Sequence, residues 1–564
     1  MSNIRFFALG GLGEDGKNMY VFDVDGRLFV FDAGLKYPTQ DLLGVDAILP
    51  NYQYLIDHQS QIEGFFLSHG HEDHIGALPK ILRDIKAPIY GSFFTLELLK
   101  DTLKQHQFDE KTFDHHTVSK DSVLSFKTAK VRFYQTTHSI PGSLGIALDT
   151  NDGMFVYSPD YSFDQNVDPI YQTSFDKIHE LTKKKVVALF SESLGAHLRH
   201  LEANDTALDI EIAQAFVNRK KRIIVSAFST DIYRIQRVIN IAIKYQRKIA
   251  IIGRKAQRMI DIAINTGLLK IPKEQFESLK FIEGNKVPEK VENLMVLVAG
   301  DRHEPFHMVQ RMVLKQDRLI HLDSEDTVLM MTPPVPGTEK IASRTLDILY
   351  RHNINIHKID KAMLPPAHAS SSDVKLLSNI LKPKYFVPVI GEHRHFFHMR
   401  QIGQQLGYDD DHIITLENGH VLRFLDGVLT NETDTVTTGE ILVDGSLEES
   451  IHDVVLKDRE ILSQDGVIIV TAAIHIRSKK VIGLPEISSR GFIYVKENET
   501  LLTELQEMYK KSIENGLQAK QFEFRTLRDN ARDVMSKFIF DKTLRRPIII
   551  PAIVTIEDEK YANA

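Results

Sequence analysis

The chain has 564 residues, 43% of them apolar and 26% charged, a formal net charge of -7 and no cysteine. That length exceeds what one hydrophobic core fills, so three or more globular units are expected. The absence of cysteine excludes disulfides, thiolate zinc fingers and a cysteine nucleophile, and the acidic balance excludes a generally basic nucleic-acid coat without deciding what a local groove binds.

Met1-Ser-Asn-Ile-Arg5 leads straight into the strand-like Phe6-Phe-Ala-Leu9, and no apolar run approaches about twenty residues. Neither a signal peptide nor a membrane segment is therefore expected, and the expected location is cytoplasmic. The apolar runs Leu28-Phe-Val-Phe-Asp32 and Met154-Phe-Val-Tyr157 read as strands and 75–85 as a helix, which makes the first part a layered α/β domain. Beyond about residue 200 the pattern changes to a helix over 209–217, a strand over 222–225, a helix over 233–245 and a strand over 248–252. That alternation is what a parallel sheet with crossover helices requires. The polar stretch Thr430 to Gly439 marks a linker, beyond which strands over 466–476, 491–495 and 547–556 surround helices over 501–516 and about 527–540. The basic clusters Lys183-Lys-Lys185, Arg219-Lys-Lys-Arg222 and Arg254-Lys-Ala-Gln-Arg258 read as solvated ends of elements.

The chemistry concentrates in Leu67-Ser-His-Gly-His-Glu-Asp-His-Ile-Gly76, directly after the apolar run Gly64-Phe-Phe-Leu67. Three histidines and a carboxylate between His69 and His74 stand where a strand ends and a helix begins. Imidazole with carboxylate suits Zn or Mn, and the alternation lets His69 and His71 reach one ion while Asp73 and His74 turn toward a second. A merely polar surface turn is the competing reading.

His69-x-His71-x-Asp73-His74 resembles the metallo-β-lactamase pattern, in which further ligands arrive at the ends of later strands. Asp32 matches an early buried aspartate that orients the histidine loop, His138 the next ligand, and Asp160 the carboxylate that bridges two ions. A long α/β insertion after Asp160 resembles the β-CASP domain of nucleases. Ala8-Leu-Gly-Gly-Leu-Gly-Glu14 with Gly16-Lys-Asn-Met19, Pro336-Gly-Thr-Glu339, Lys382-Pro-Lys-Tyr-Phe386, Ile487-Ser-Ser-Arg-Gly-Phe-Ile-Tyr494 and Arg545-Arg-Pro547 extend the resemblance along the chain to the ribonuclease J family.

That resemblance implies an α/β fold: a metallo-β-lactamase αββα sandwich in two parts (1–205 and 361–430) around a β-CASP domain (206–360), then a linker (431–447) and a small C-terminal α/β domain (448–564). It implies two metal ions, Zn or Mn, one held by His69, His71, His138 and Asp160, the other by Asp73, His74 and Asp160. It implies in-line hydrolysis of an RNA phosphodiester, with Asp73, Glu192 and His368 in the catalytic machinery: Glu192 orients a ligand histidine, and His368 steadies the scissile phosphate or protonates the leaving oxygen. Ser229, Arg234, His368, Ala369 and Ser370 are the matched substrate-binding positions.

The pattern is broken where the family's last ligand histidine stands, because this chain reads Pro388-Val-Ile390-Gly-Glu-His-Arg-His395, and an isoleucine cannot bind a metal. The second site is expected to be weak, and His393 and His395 sit too far along the loop to substitute. Glu192 in place of Asp, Pro159 before Asp160 and the charged Gly300-Asp-Arg-His-Glu304 are further departures near the chemistry. Together they resemble the weakly active second ribonuclease J paralogue of low-GC Gram-positive bacteria. The implied partners are RNA and a paralogous ribonuclease J subunit, through a homodimer or hetero-oligomer of the C-terminal domain. A fully active 5′ exonuclease and endonuclease, and a small-molecule hydrolase, are the competing functions.

Overall fold

The computed structural model describes residues 2–39, 42–108, 113–164, 167–198, 205–219, 221–277, 293–335, 337–364, 367–445, 453–492, 499–519 and 522–556. The chain forms two compact units, residues 1–37 with 46–449, and residues 38–45 with 450–564.

Alternation along the first strand, Asn3–Gly10, sends Ile4, Phe6 and Ala8 into one core and Phe7 and Leu9 into another, so both faces are buried. This strand lies in a nine-stranded sheet whose main path runs Val428–Leu429, His420–Leu425, Asn3–Gly10, Met19–Val24, Arg27–Phe31, Ile62–Phe66, Ile89–Gly91, His115–Thr117. A six-stranded sheet runs Tyr385–Val389, Val186–Glu192, Gly153–Ser158, Leu144–Thr150, Lys130–Gln135, Val123–Ser125. The two sheets meet over an aromatic core in which the rings of Phe6 and Phe190 are 4.2 Å apart and those of Phe22 and Phe155 are 6.4 Å apart. Helices cover the outer faces, Leu78–Asp84 and Phe93–Gln105 on the first sheet, Phe175–Leu181, Ser371–Leu381 and His393–Gln405 on the second. This is the αββα sandwich expected from the resemblance, and its last strands return only after the insertion: Tyr385–Val389 pairs in parallel with Val186–Glu192, and His420–Leu425 pairs antiparallel with Asn3–Gly10.

The insertion is a five-stranded, all-parallel sheet in the order Lys248–Ile252, Leu294–Gly300, Ile223–Phe228, Thr327–Met330, Asn355–Lys358. Its strands other than the edge strand Asn355–Lys358 are largely apolar on both faces because helices Ile232–Lys244 and Arg254–Asn265 cover one side and Glu304–Val313 and Glu339–Arg351 the other. In the second unit, Leu505, Tyr509, Ile513 and Leu517 recur every fourth residue on helix Glu499–Leu517, as do Leu527, Ala531, Met535 and Ile539 on helix Phe524–Thr543. Both stripes pack on Ile468, Val470, Ala472 and Ile474 of the central strand Val467–His475.

Three expectations need correction. The stretch read as a linker carries strands: Asp434–Thr435 pairs with His420–Leu425, and Glu440–Val443 with Ala47–Pro50. Its polarity is that of short strands open to solvent, not of a loose tether. In the second unit the partner of Val467–His475 is Lys480–Arg490 rather than a strand beginning at Gly491, and residues 493–495 of that expectation lie outside the described ones. Gly483, Pro485 and Glu486 disguise this edge strand in the sequence. The helix expected over 75–85 is two, Glu72–Ile75 and Leu78–Asp84. Lys220, the side chains of Arg254 and Lys255, and Pro336 of the quoted motifs also lie outside the described residues. Among the described residues no helix is long and apolar enough to cross a membrane.

Candidate metal centre

The histidine loop is organised by one carboxylate. Asp32 ends strand Arg27–Phe31 in the left-handed region (φ 59°) and is fully buried. It accepts hydrogen bonds from Ser68 N, Ser68 Oγ and Tyr157 OH, each at 2.8 Å, and lies 2.8 Å from His74 Nδ1. Four partners satisfy the buried charge and aim His74 Nε2 the other way. The next turn is equally tight: a Cβ on Gly34 would lie 1.6 Å from the Asp73 carbonyl oxygen, so only glycine lets the two loops approach.

Two sets of ligand atoms converge on Asp160. In the first, His69 Nε2 and His138 Nε2 stand 3.1 Å and 3.2 Å from His71 Nδ1, and 3.6 Å and 3.4 Å from Asp160 Oδ2. The other nitrogen of His138 donates to the Ala367 carbonyl at 2.8 Å, which fixes its tautomer and leaves Nε2 a lone pair. In the second set, His74 Nε2 is 3.4 Å from Asp73 Oδ2 and 3.8 Å from Asp160 Oδ2. Each set brings its ligand atoms close enough for one cation.

The electrostatics suit cations. Burial, with the neighbouring imidazoles, holds His69 well below the usual histidine range; burial also lowers His71, and lowers His138 to about 3, so all three are neutral ligands. Burial opposes charge on His74 too, but Asp73 and Asp32 outweigh it and raise its pKa well above the ordinary value. Burial likewise opposes charge on Asp160, yet His368, His138 and His74 together hold it well below the carboxylate range. Asp160 Oδ1 is buried with no hydrogen-bond partner among the described residues. A carboxylate with one orphaned oxygen, whose other oxygen faces the neutral imidazoles of His69 and His138, is donor chemistry that a Zn²⁺ or Mn²⁺ ion fits.

A third cluster adjoins the first two. His368 Nδ1 is 2.9 Å from Glu192 Oε2 and 3.6 Å from Asp160 Oδ1. Glu192, fully buried at the end of strand Val186–Glu192, also accepts from Tyr161 N at 2.7 Å and Ala369 N at 2.9 Å. The imidazole Glu192 touches is thus that of His368, not one belonging to the two sets above. Burial raises the Glu192 pKa, whereas Glu192 and Asp160 overcome burial to raise that of His368 well above the ordinary value.

Ile390 has φ 52°, a left-handed conformation rare for a β-branched residue, and its side chain is fully buried in the core between the sheets. Its carbonyl accepts from Ser193 N at 3.1 Å and Ser193 Oγ at 2.7 Å. Neither nearby histidine takes its place: His393 lies against Gly13, and His395 Nδ1 accepts from Glu392 N at 3.1 Å as a helix cap. What does stand at the second set is the Asn18 amide, with Nδ2 3.3 Å from Asp73 Oδ2 and 3.2 Å from His74 Nε2. Asn18, Ser68 and Tyr157 were not legible as site residues. Asn18 and Ser68 lie in motifs that can be quoted from the sequence, but their partners are remote.

The expected substrate-binding positions are close by and already engaged. Ser229 Oγ donates to Asp301 Oδ1, Ala369 N donates to Glu192, and Ser370 caps helix Ser371–Leu381, its hydroxyl oxygen accepting from Asp373 N at 3.3 Å while it donates to Asp373 Oδ2 at 2.7 Å. Arg234 Nε pairs with Asp231 Oδ2 at 2.9 Å, and both residues line a small cavity with His138, Ser139 and Tyr171.

Comparison with known proteins matches residues 12–192 to the metallo-beta-lactamase superfamily, 220–349 to the ribonuclease J beta-CASP domain and 454–556 to the ribonuclease J C-terminal domain. Ribonuclease J2 of Bacillus subtilis is 35% identical over 554 residues, covering 98% of this chain and 99% of that one. Ribonuclease J 2 of Staphylococcus epidermidis is 35% identical over 555 residues, and that of Staphylococcus aureus 33% over 554, each covering 98% of both chains. A solved structure of a protein of unknown function from Enterococcus faecalis V583 has a TM-score of 0.50 at 14% identity, covering 75% of this chain and 100% of that one, a likeness of fold alone.

Proposed function

Because the chain belongs to the ribonuclease J family, of the second-paralogue type, and is a metal-dependent ribonuclease, we propose that its own turnover is reduced and that it serves mainly as a structural and regulatory subunit beside an active paralogue in cytoplasmic mRNA decay and rRNA processing. The observation that carries this reading is a second ligand set that has only Asp73, His74 and a share of Asp160, while Ile390, where the resemblance places a further ligand histidine, is buried and apolar. A site short of a ligand binds its ion more weakly.

In this reading His69, His71, His138 and Asp160 hold the tighter ion, and Asp73, His74 and Asp160 the weaker. The ions, Zn²⁺ or Mn²⁺, would lower the pKa of the attacking water and neutralise the scissile phosphate. Asp32, through His74 and Ser68, keeps the ligand loop in register. Glu192 holds His368 through Nδ1, leaving Nε2 as the nitrogen that can place a proton on the leaving oxygen. Ser229, Arg234, Ala369 and Ser370 shape the RNA path through the backbone they brace.

The partner reading draws on the second unit. The face of its sheet opposite the two helices leaves Ile469 and Ile550, paired in register, 40% and 47% exposed, with Val554 52% exposed beyond them. An apolar sheet face of this kind suits a second copy or a paralogous subunit. Removal of residues 450–564 is expected to lower the number of protomers per particle seen by light scattering; an unchanged number with partner binding intact would remove this support.

The deciding experiment is hydrolysis of 5′-monophosphorylated RNA at one manganese concentration. Ile390→His is expected to raise turnover about tenfold, as restoring a missing metal contact would, with RNA affinity nearly unchanged. Wild-type turnover equal to that of the variant would favour a fully active ribonuclease J, a reading that the complete first ligand set supports.

A further inference from the structure

The loop Gly11 to Asn18 forms one wall of the second ligand set. Asn18 is locked there by its backbone, Asn18 N donating to Asp73 O at 3.1 Å and Gly34 N to Asn18 O at 2.9 Å, and by Tyr20 OH donating to its Oδ1 at 3.1 Å. The preceding residue, Lys17, is in the left-handed region (φ 56°) and only 3% exposed. A lysine so placed requires a carboxylate, since burying an ammonium without one is costly.

Two carboxylates meet it. Lys17 Nζ is 2.8 Å from Glu440 Oε1 and 3.2 Å from Glu14 Oε2. Lys36 Nζ closes the group at 3.0 Å from Glu14 Oε2 and 4.0 Å from Glu440 Oε1. Glu14 also accepts from Asn418 Nδ2 at 2.9 Å and Gly11 N at 3.3 Å, so much of its capacity serves the loop's other end. Without Glu440, two ammonium groups would share that one carboxylate. Glu440 itself is anchored opposite Pro50 in the ladder between Glu440–Val443 and Ala47–Pro50. It lies 423 residues from Lys17 in the chain, within a stretch whose composition reads as a linker.

We propose that Glu440 is a positioning residue for the second cation set: by holding the Lys17 ammonium it fixes the loop that keeps the Asn18 amide against Asp73 and His74. The proposal rests on the two-cation reading above. It makes the connection toward the second unit part of the scaffold of the weaker cation site, where one ligand is already missing and the remaining ones depend most on their surroundings.

The test uses the full-length chain with Glu440→Gln, Glu440→Asp and, as a control, Glu432→Gln, whose carboxylate pairs with Arg423 instead. In metal-free protein, hydrogen exchange over residues 11–18 is expected to quicken about tenfold in Glu440→Gln, the response to losing a local contact of roughly 1.4 kcal/mol. Glu432→Gln should not change it. Adding Lys17→Met to Glu440→Gln should quicken exchange by a smaller factor than Lys17→Met does in wild type, since the Lys17–Glu440 contact is then already gone and only the one to Glu14 remains to be lost. In manganese titrations followed by electron paramagnetic resonance, Glu440→Gln is expected to weaken the second cation about tenfold and leave the first unchanged, with Glu440→Asp recovering part of the loss.

Unchanged loop exchange in Glu440→Gln overturns the proposal, as does quickened exchange with both cation affinities unaltered. A wild-type protein that takes up a single cation at all manganese concentrations defeats the two-cation reading instead, and loop exchange then decides whether Glu440 holds the loop.

Discussion

The two ligand sets share Asp160 and are built differently. The His69 set draws four side chains from three segments, and the His138 tautomer is fixed by a backbone carbonyl. The Asp73 set has three, beside an amide from Asn18, and the position where a further ligand is expected holds an isoleucine in a left-handed conformation. In the proposed reading the first set would hold its cation with its own ligands, whereas the second, with fewer, would rely on the close approach at Gly34 and on the Lys17–Glu440 pair. Ile390 is buried in the core between the sheets, so a residue that offers no ligand atom contributes packing instead.

Asp160→Asn breaks the comparison most severely, since its Oδ2 serves both sets. It is expected to lower RNA cleavage by about a thousandfold, the scale of a transition-state contact worth about 4 kcal/mol, and to reduce bound manganese in both sets. Retention of one full equivalent by mass spectrometry would show that the histidines suffice for the first site.

Glu192→Ala leaves the His368 imidazole and the N–H groups of Tyr161 and Ala369 without their carboxylate. Unfolding in urea should show a loss of about 3 kcal/mol, as when one partner of a buried pair is removed, and Glu192→Gln should retain much of it. Equal stability of both variants and wild type would mean that His368 is held by Asp160 alone.

Gly34→Ala sharpens the contrast between the sets, because the new methyl meets the Asp73 backbone and not the His69 set. A destabilisation of about 2 kcal/mol is expected from the overpacking, and the second cation should weaken more than the first. Equal weakening in manganese titrations would show that the two sets move as one body.

The smallest effect concerns the helix that starts just after Ile390. Burial, reinforced by Arg394, lowers the His395 pKa from 6.5 to about 4. Its neutral Nδ1 caps the helix, so the unfolded chain takes up a proton from about pH 6.5 downward while the folded one does not until about pH 4. Stability from this group is therefore complete above pH 6.5 and lost as the pH falls toward 4. Between pH 7 and about 5.7 wild type is expected to lose about 1 kcal/mol more than His395→Gln, measured by urea unfolding at each pH; parallel losses would mean that His395 is protonated in the fold.

Local pattern made much of the molecule legible. Strands such as Arg27–Phe31 and Lys248–Ile252, and helices such as Ile232–Lys244 and Phe524–Thr543, follow from apolar periodicity, since that periodicity is what a buried face requires. The cluster His69 to His74 identified the metal chemistry because its ligands are neighbours in the chain. Strand Lys480–Arg490 was hidden because an edge strand tolerates glycine, proline and charge.

The sequence by itself therefore determined the fold class, and it supplied the candidate first ligand set and an isoleucine at residue 390, all of which rest on residue type and local order. Only the tertiary structure decided that Glu192 holds His368 across 176 residues, that Asn18 faces Asp73 and His74, and that Glu440 closes on Lys17. Contacts of that kind depend on which strand ends the sheets bring together, and no local preference of either partner encodes the other.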